Sequence, residues 1–107
     1  MGTAEFVTRR RVRFTEKVRT QVRLLKEWWE ENSARPEILS HDLNAALEML
    51  SIAPGIGSPY RPSPIPGVRR FYLGRLMSHL YYTFDEREVV IRALWHARRG
   101  VGPDFGA

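Results

Sequence analysis

Residues 67–100 constrain the fold more than any other stretch. Leu80, Tyr82 and Phe84 alternate with His79, Tyr81 and Thr83. Val89, Ile91, Ala93 and Trp95 alternate with Val90, Arg92, Leu94 and His96, and upstream Phe71 and Leu73 alternate with Arg70 and Tyr72. A two-residue period of aromatic and β-branched side chains belongs to strands, because successive strand side chains point to opposite faces. Asp85-Glu86-Arg87-Glu88 makes a polar turn between the last two runs. The stretch predicts a three-stranded antiparallel meander. With Phe71, Leu73, Leu80, Tyr82, Phe84, Val89, Ile91, Ala93 and Trp95 towards the core, the other face carries Arg70, Tyr72, His79, Tyr81, Arg92 and His96, with Arg98 just beyond. That set is basic, aromatic and imidazole-bearing, and suits an anionic partner. A half-solvated sheet is ordinarily polar on its outer face, so parity alone does not separate the two readings.

The first half of the chain reads differently. Val12 and Phe14 share a parity against Arg11 and Arg13, which predicts an N-terminal strand within residues 6–14; Arg9 to Arg11 alternatively form a basic arm. Thr15 is a plausible N-cap and Glu16 suits a first helical turn. Val18, Val22, Leu25 and Trp29 recur at helical spacing, predicting a helix over 16–33. The adjacent Trp28 and Trp29 lie about 100° apart around that helix, so they cannot be equally buried. Either one belongs to the core and the other lies at its edge, available to anchor a partner, or both are partly buried against the next helix, where an indole N–H tolerates a partly wet position. Leu39, Leu43, Ala46, Leu47 and Leu50 mark a second helix over 36–50, with Pro36 at its first position and His41 on its surface. The short connection predicts an antiparallel αα-hairpin. Residues 53–67 hold proline and glycine too densely for a helix or a central strand. They predict an ordered loop tacked down by Tyr60 and Ile65. Gly55-Ile56-Gly57 lacks the lysine and third glycine of phosphate loops.

The predicted fold class is therefore α+β, with a strand, a helical hairpin and a three-stranded meander in one domain spanning 1–107. Residues 1–8 and 101–107 are expected as mobile tails. Composition narrows the chemistry. The chain has no cysteine, which excludes disulfides, thiolate catalysis and cysteine metal sites. No apolar run is long enough to span a membrane, and no secretory signal is visible, so a cytoplasmic location is expected. The net charge is +5, and Lys17 and Lys26 are the only lysines among the cations. Arginine favours bidentate contacts with phosphate and carboxylate. Positive charge concentrates in residues 9–26 and again after Gly67, with an acidic stretch over 27–51. Such asymmetry fits nucleic acid or an acidic protein as partner.

Several segments together carry a resemblance. They are Asp42-Leu43 to Leu50 followed by Pro54 and Gly57, Pro66-Gly67-Val68-Arg69-Arg70-Phe71, Leu80-Tyr81-Tyr82, and Leu94-Trp95-His96-Ala97-Arg98-Arg99. In this order the chain, from Val12 to Arg99, resembles the RelE/ParE superfamily of toxins from type II toxin–antitoxin modules. The resemblance implies growth arrest or plasmid stabilisation, an antitoxin that wraps the toxin, and no cofactor or metal. It implies two possible targets. RelE-like members cleave mRNA on the ribosome. On that branch Arg70, His79, His96 and Arg98 would be the catalytic set, with His79 and His96 as an acid–base pair. Tyr72 stands where some members have a lysine, and His79 where an arginine is expected. ParE-like members inhibit DNA gyrase. His96-Ala97-Arg98, and Arg69-Arg70-Phe71 before Gly74-Arg75, resemble that branch, and the missing lysines favour it. Arg69, Arg70, Tyr72, Tyr81, Arg92, Arg98 and Arg99 would then bind the target. The paired tryptophans, Trp28 and Trp29, are the expected antitoxin anchors.

Overall fold

A computed structural model of the protein describes residues 8–97 and Pro103. Arg98, Arg99 and the expected tails, apart from Thr8 and Pro103, lie outside the described residues. The elements run β1 (Arg11–Phe14), α1 (Glu16–Asn32), α2 (Glu37–Ile52), β2 (Ser58–Pro59), β3 (Arg69–Leu73), β4 (Ser78–Phe84) and β5 (Glu88–His96). The five strands form one mixed sheet in the order β1-β5-β4-β3-β2. The fold is α+β, as expected, with the antiparallel meander β3-β4-β5 at its centre.

Local chemistry explains the helices. Thr15 is extended, and its Oγ1 accepts the Val18 N–H at 3.3 Å, capping α1. Val18 is fully buried, and Val22, Leu25 and Trp29 pack beside it. Leu39, Leu43, Ala46 and Leu50 of α2 complete this helix-side core with Leu73, Leu80, Tyr82, Val89, Ile91 and Leu94 from the sheet. β1 lies at the sheet edge, parallel to β5, with Phe14 opposite Ile91. The arginine run before it is held in place: the Arg10 N–H donates to the Ser51 carbonyl at 2.8 Å, and Arg9 pairs with Glu48.

Two features depart from the expected sheet. First, β5 carries a bulge. Tyr81 pairs with Ala93 but Tyr82 with Ile91, which leaves Arg92 as an extra residue. The extra residue inverts the facing of everything after it. Leu94 joins the helix-side core, whereas Ala93 and Trp95 turn to the opposite face beside Tyr81. The expected core placement of Ala93 and Trp95 is thus corrected, and so is the expected outer placement of His96. Phe84 keeps its predicted face but is 38% exposed, with the Arg10 guanidinium over its ring at 5.7 Å. Second, the proline-rich loop contributes the edge strand β2, where proline is tolerated because its missing N–H faces away from the ladder.

That loop is bolted to the sheet from below. The buried Tyr82 hydroxyl donates to the Pro54 carbonyl at 2.6 Å and accepts the Gly57 N–H at 3.0 Å. Arg69 adds bonds from Nε to the Gly57 carbonyl at 2.9 Å and from Nη2 to the Gly55 carbonyl at 3.0 Å. A Cβ at Gly57 would sit 2.3 Å from the Tyr82 hydroxyl and 2.8 Å from the Arg70 carbonyl, so no larger residue fits there. Tyr82→Phe strands the Gly57 N–H and the Pro54 carbonyl. The expected loss is about 1–3 kcal/mol of unfolding free energy, measured by urea denaturation. An unchanged midpoint would show that the loop is held some other way.

Candidate target face and partner groove

The sheet separates two surfaces of different chemistry. The face away from the helices carries Arg70 and Tyr72 of β3, His79, Tyr81 and Thr83 of β4, and Arg92 of β5, since cross-strand pairs share a face. Its side chains form a connected row. The Arg70 guanidinium lies 5.4 Å from the Tyr60 ring centre, and Tyr60 meets Tyr81 edge-on at 4.8 Å. Tyr81 lies 6.0 Å from His79, and His79 4.9 Å from Tyr72. Arg92 Nε donates to Thr83 Oγ1 at 2.9 Å, which fixes the bulged residue against the row.

The row is only partly open. Tyr60 and Ile65 fold over Val68, Tyr81 and Ala93, so Tyr81 is buried. Within the row a partner can reach Arg70 and Tyr72, both exposed, and the half-buried Tyr60, His79, Thr83 and Arg92. The His79 imidazole is pushed below its usual 6.5, first by burial and then by the Arg70 charge. It is therefore neutral at pH 7 and able to accept a hydrogen bond or stack.

Two residues expected with this set stand elsewhere, and a third is covered. Arg69 points to the helix side and holds the loop. His96 pairs with Ser78 and lines a groove beside α1, on the opposite side of the sheet from His79. Tyr81 belongs to the row but is covered. Arg98 and Arg99 lie outside the described residues. Tyr60 is the member of the row that alternation could not find, because it comes from an irregular loop.

The groove lies between α1 and the β4 and β5 ends, with a volume of about 700 Å³. Gln21, Leu24, Trp28, Met77, Leu94 and His96 are among its walls. Trp29 packs against the core, whereas Trp28 is 55% exposed, as the adjacency of the two indoles requires. Leu24 is 53% exposed beside it. The missed signal is a second stripe on α1: Gln21, Leu24 and Trp28 follow one another at helical spacing. Met77 adopts a left-handed conformation, φ 49°, which turns the chain into β4 at the groove's edge. Arg75 closes the end, with Nε 2.9 Å and Nη2 2.5 Å from the two Asp42 carboxylate oxygens. Among the described residues no group of three or more His, Asp or Glu side chains could hold a metal.

Two titrations test these surfaces. Arg75, with a smaller contribution from His41, lowers the Asp42 carboxyl from 3.8 to about 2. A depressed carboxylate adds stability above its unfolded pKa and loses it as pH falls through the folded one. Asp42→Asn should therefore melt lower than the parent at pH 7, with the gap closing as pH falls from 3.8 towards 2. An equal gap at both ends would refute the clamp. The His79 midpoint, followed by NMR, should lie below 6.5 and rise in Arg70→Gln without reaching 6.5, because burial remains.

Known proteins share this architecture. The family model for the ParE toxin of the type II toxin–antitoxin system parDE matches residues 12–101. A chain of the chromosomal ParDE toxin–antitoxin system from P. aeruginosa superposes with a TM-score of 0.64 at 20% identity, covering 83% of this chain and 97% of that one. A chain of the RelBE2 toxin–antitoxin complex from Mycobacterium tuberculosis gives a TM-score of 0.60 at 26% identity, covering 83% and 92%. No curated protein sequence matches the chain.

Proposed function

The chain belongs to the ParE toxin family of type II toxin–antitoxin systems, and from that premise we propose that it inhibits DNA gyrase and is neutralised by a cognate antitoxin. One observation carries the choice of target: His79 and His96 occupy opposite sides of the sheet. The ribonuclease alternative needs a base for the 2′-hydroxyl and an acid for the leaving oxygen around a single phosphate. Two imidazoles on opposite sides of the sheet are poorly placed to share one phosphate. What remains on the open face is Arg70, Arg92, Tyr72 and a neutral His79, which suits binding better than acid–base chemistry. Arginine and aromatic side chains are the usual anchors of a tight interface. On this reading the target docks on that face, Arg98 and Arg99 are proposed as further target contacts, and His96 belongs to the groove.

The groove suits the antitoxin. Its exposed Trp28 and Leu24 form an apolar surface. Both structural relatives come from toxin–antitoxin systems. No helix among the described residues is long and apolar enough to cross a membrane. The proposed target has the protein act in the cytoplasm.

Supercoiling of relaxed plasmid by gyrase, titrated with antitoxin-free protein, tests the reading. Inhibition is expected, with His96→Ala as potent as the parent and Arg70→Ala weaker by about tenfold or more, as for an anchor residue. A cognate antitoxin should relieve it. Folded protein that leaves supercoiling intact would overturn the proposal and favour ribosome-dependent mRNA cleavage.

A further inference from the structure

Arginines are held in two ways in this protein. Away from the open face, carboxylates or carbonyls hold them: Arg9 pairs with Glu48, Arg75 with Asp42, and Arg69 binds two loop carbonyls. On the open face, uncharged side chains hold Arg70 and Arg92 instead. The Arg70 guanidinium stacks over the Tyr60 ring, 5.4 Å from its centre, and Arg92 Nε donates to Thr83 Oγ1 at 2.9 Å. Among the described residues no ion pair reaches Arg70 or Arg92. Both charges are therefore fixed in place without being neutralised.

The groups that hold them are themselves fixed. The Tyr60 N–H donates to the Val68 carbonyl at 2.8 Å, and its ring meets the buried Tyr81 edge-on at 74°. Thr83 lies within β4, opposite Val90, and its branched side chain has little rotamer freedom. Contact with a ring face leaves the in-plane N–H donors of Arg70 open, and a bond at Nε leaves both terminal nitrogens of Arg92 open. Arg70 on β3 and Arg92 on β5 stand two strand spacings apart, about 10 Å. We infer that Tyr60 and Thr83 are positioning residues, which set Arg70 and Arg92 as a preorganised pair of anion contacts for the gyrase target. A free arginine loses its rotamer freedom on binding, whereas one already held has lost it on folding, so binding costs less. An ammonium has no planar face to stack and no fork of donors, so the arrangement requires arginine. The inference rests on the gyrase reading above and adds two residues that act through the arginines.

Gyrase supercoiling and NMR of the free chain test it together. Tyr60→Leu should raise the concentration for half-inhibition about three- to tenfold, and Tyr60→Phe, which keeps the ring, should restore it. Thr83→Val should raise it about two- to tenfold, with rescue by Thr83→Ser. On an Arg70→Ala background, Tyr60→Leu should add under about twofold, because the group it positions is gone. Without gyrase, the Arg70 Nε–H proton resonance should move downfield in Tyr60→Leu, away from the shielding of the ring face, and stay put in Tyr60→Phe. Where Tyr60→Leu does not fold, the Thr83 pair carries the test. A full further loss on Arg70→Ala means that Tyr60 itself contacts the target, and overturns the inference. Folded Tyr60→Leu with the parent's potency, or with an unmoved Arg70 resonance, also overturns it. Parent protein that leaves supercoiling intact overturns the gyrase reading, and the resonance then decides alone whether Tyr60 holds Arg70.

Discussion

Arg92 is the residue that β5 has in excess of β4. Because a strand's side chains alternate, one inserted residue reverses the facing of all that follow. Before it, Val89 and Ile91 face the helices. After it, Leu94 does, and Ala93 and Trp95 turn outward. The reversal serves packing on both faces. Leu94 fills the space under α1, and Ala93, the smallest side chain of the run, lets the loop carrying Tyr60 and Ile65 approach the outer face. Arg92 is tied to Thr83 and so does not compete for either core. The same reversal decides the chemistry, since it carries His96 away from His79 and into the groove.

A second constraint ties the loop to this arrangement. Residues 54–57 turn under Tyr82, whose hydroxyl bridges the Pro54 carbonyl and the Gly57 N–H within the buried core. Burial raises the Tyr82 pKa, so the group stays a neutral donor and acceptor. Arg69 clamps the same loop through two carbonyls. Fixed at that end, the chain makes β2, passes Tyr60 across Tyr81, and turns at Gly67, φ 79°, into β3. The open face is therefore bounded on one side by an irregular segment whose position depends on a buried phenol. Surface ion pairs contribute little by comparison, because exposed pairs are weakly stabilising. Their effect is on charge. Arg9, Arg13 and Arg23 are answered by Glu48, Glu88 and Glu27, so part of the N-terminal positive run is balanced within the protein.

How much of this was legible follows from range. The helices were, because capping and apolar spacing act within a few residues: Thr15, Val18 and Leu39 each appear as read. The meander was, because its turns are local. The direction of β1 was not, since its partner Glu88–Ile91 lies far along the chain and parallel pairing leaves no turn to read. The bulge left a faint mark. Val90 and Leu94 are apolar on the parity assigned to solvent, and Arg92 stands between them. Two apolar residues on the wrong parity mean either a covered outer face or a slipped register, and here both hold. Arg69 was grouped with Arg70 for its charge, but adjacent strand residues face opposite ways, and its loop partners are backbone carbonyls that no sequence pattern marks. That the two tryptophans could not be equally buried followed from helix geometry alone, but which of them the core takes did not.

The two surfaces pose a geometric problem for neutralisation. An antitoxin confined to the groove would leave Arg70, Tyr72 and His79 uncovered, since the sheet stands between. The two sides meet, however, at one end of the sheet. Ser78 and His96 form a cross-strand pair on the groove side, and His79 and Trp95, the next pair in from that end, lie on the other. A segment running along β5 past Leu94 and His96 would arrive at that end, beside His79 and Tyr72. A few further residues would carry it over the rim and onto the row that holds the proposed target. The groove would then supply the affinity, through its exposed indole and leucine surface. The short passage over the rim would supply the inhibition, because binding at the open face requires Arg70 and Tyr72 to be unobstructed. Removing the passage while keeping the groove segment would separate holding the toxin from silencing it.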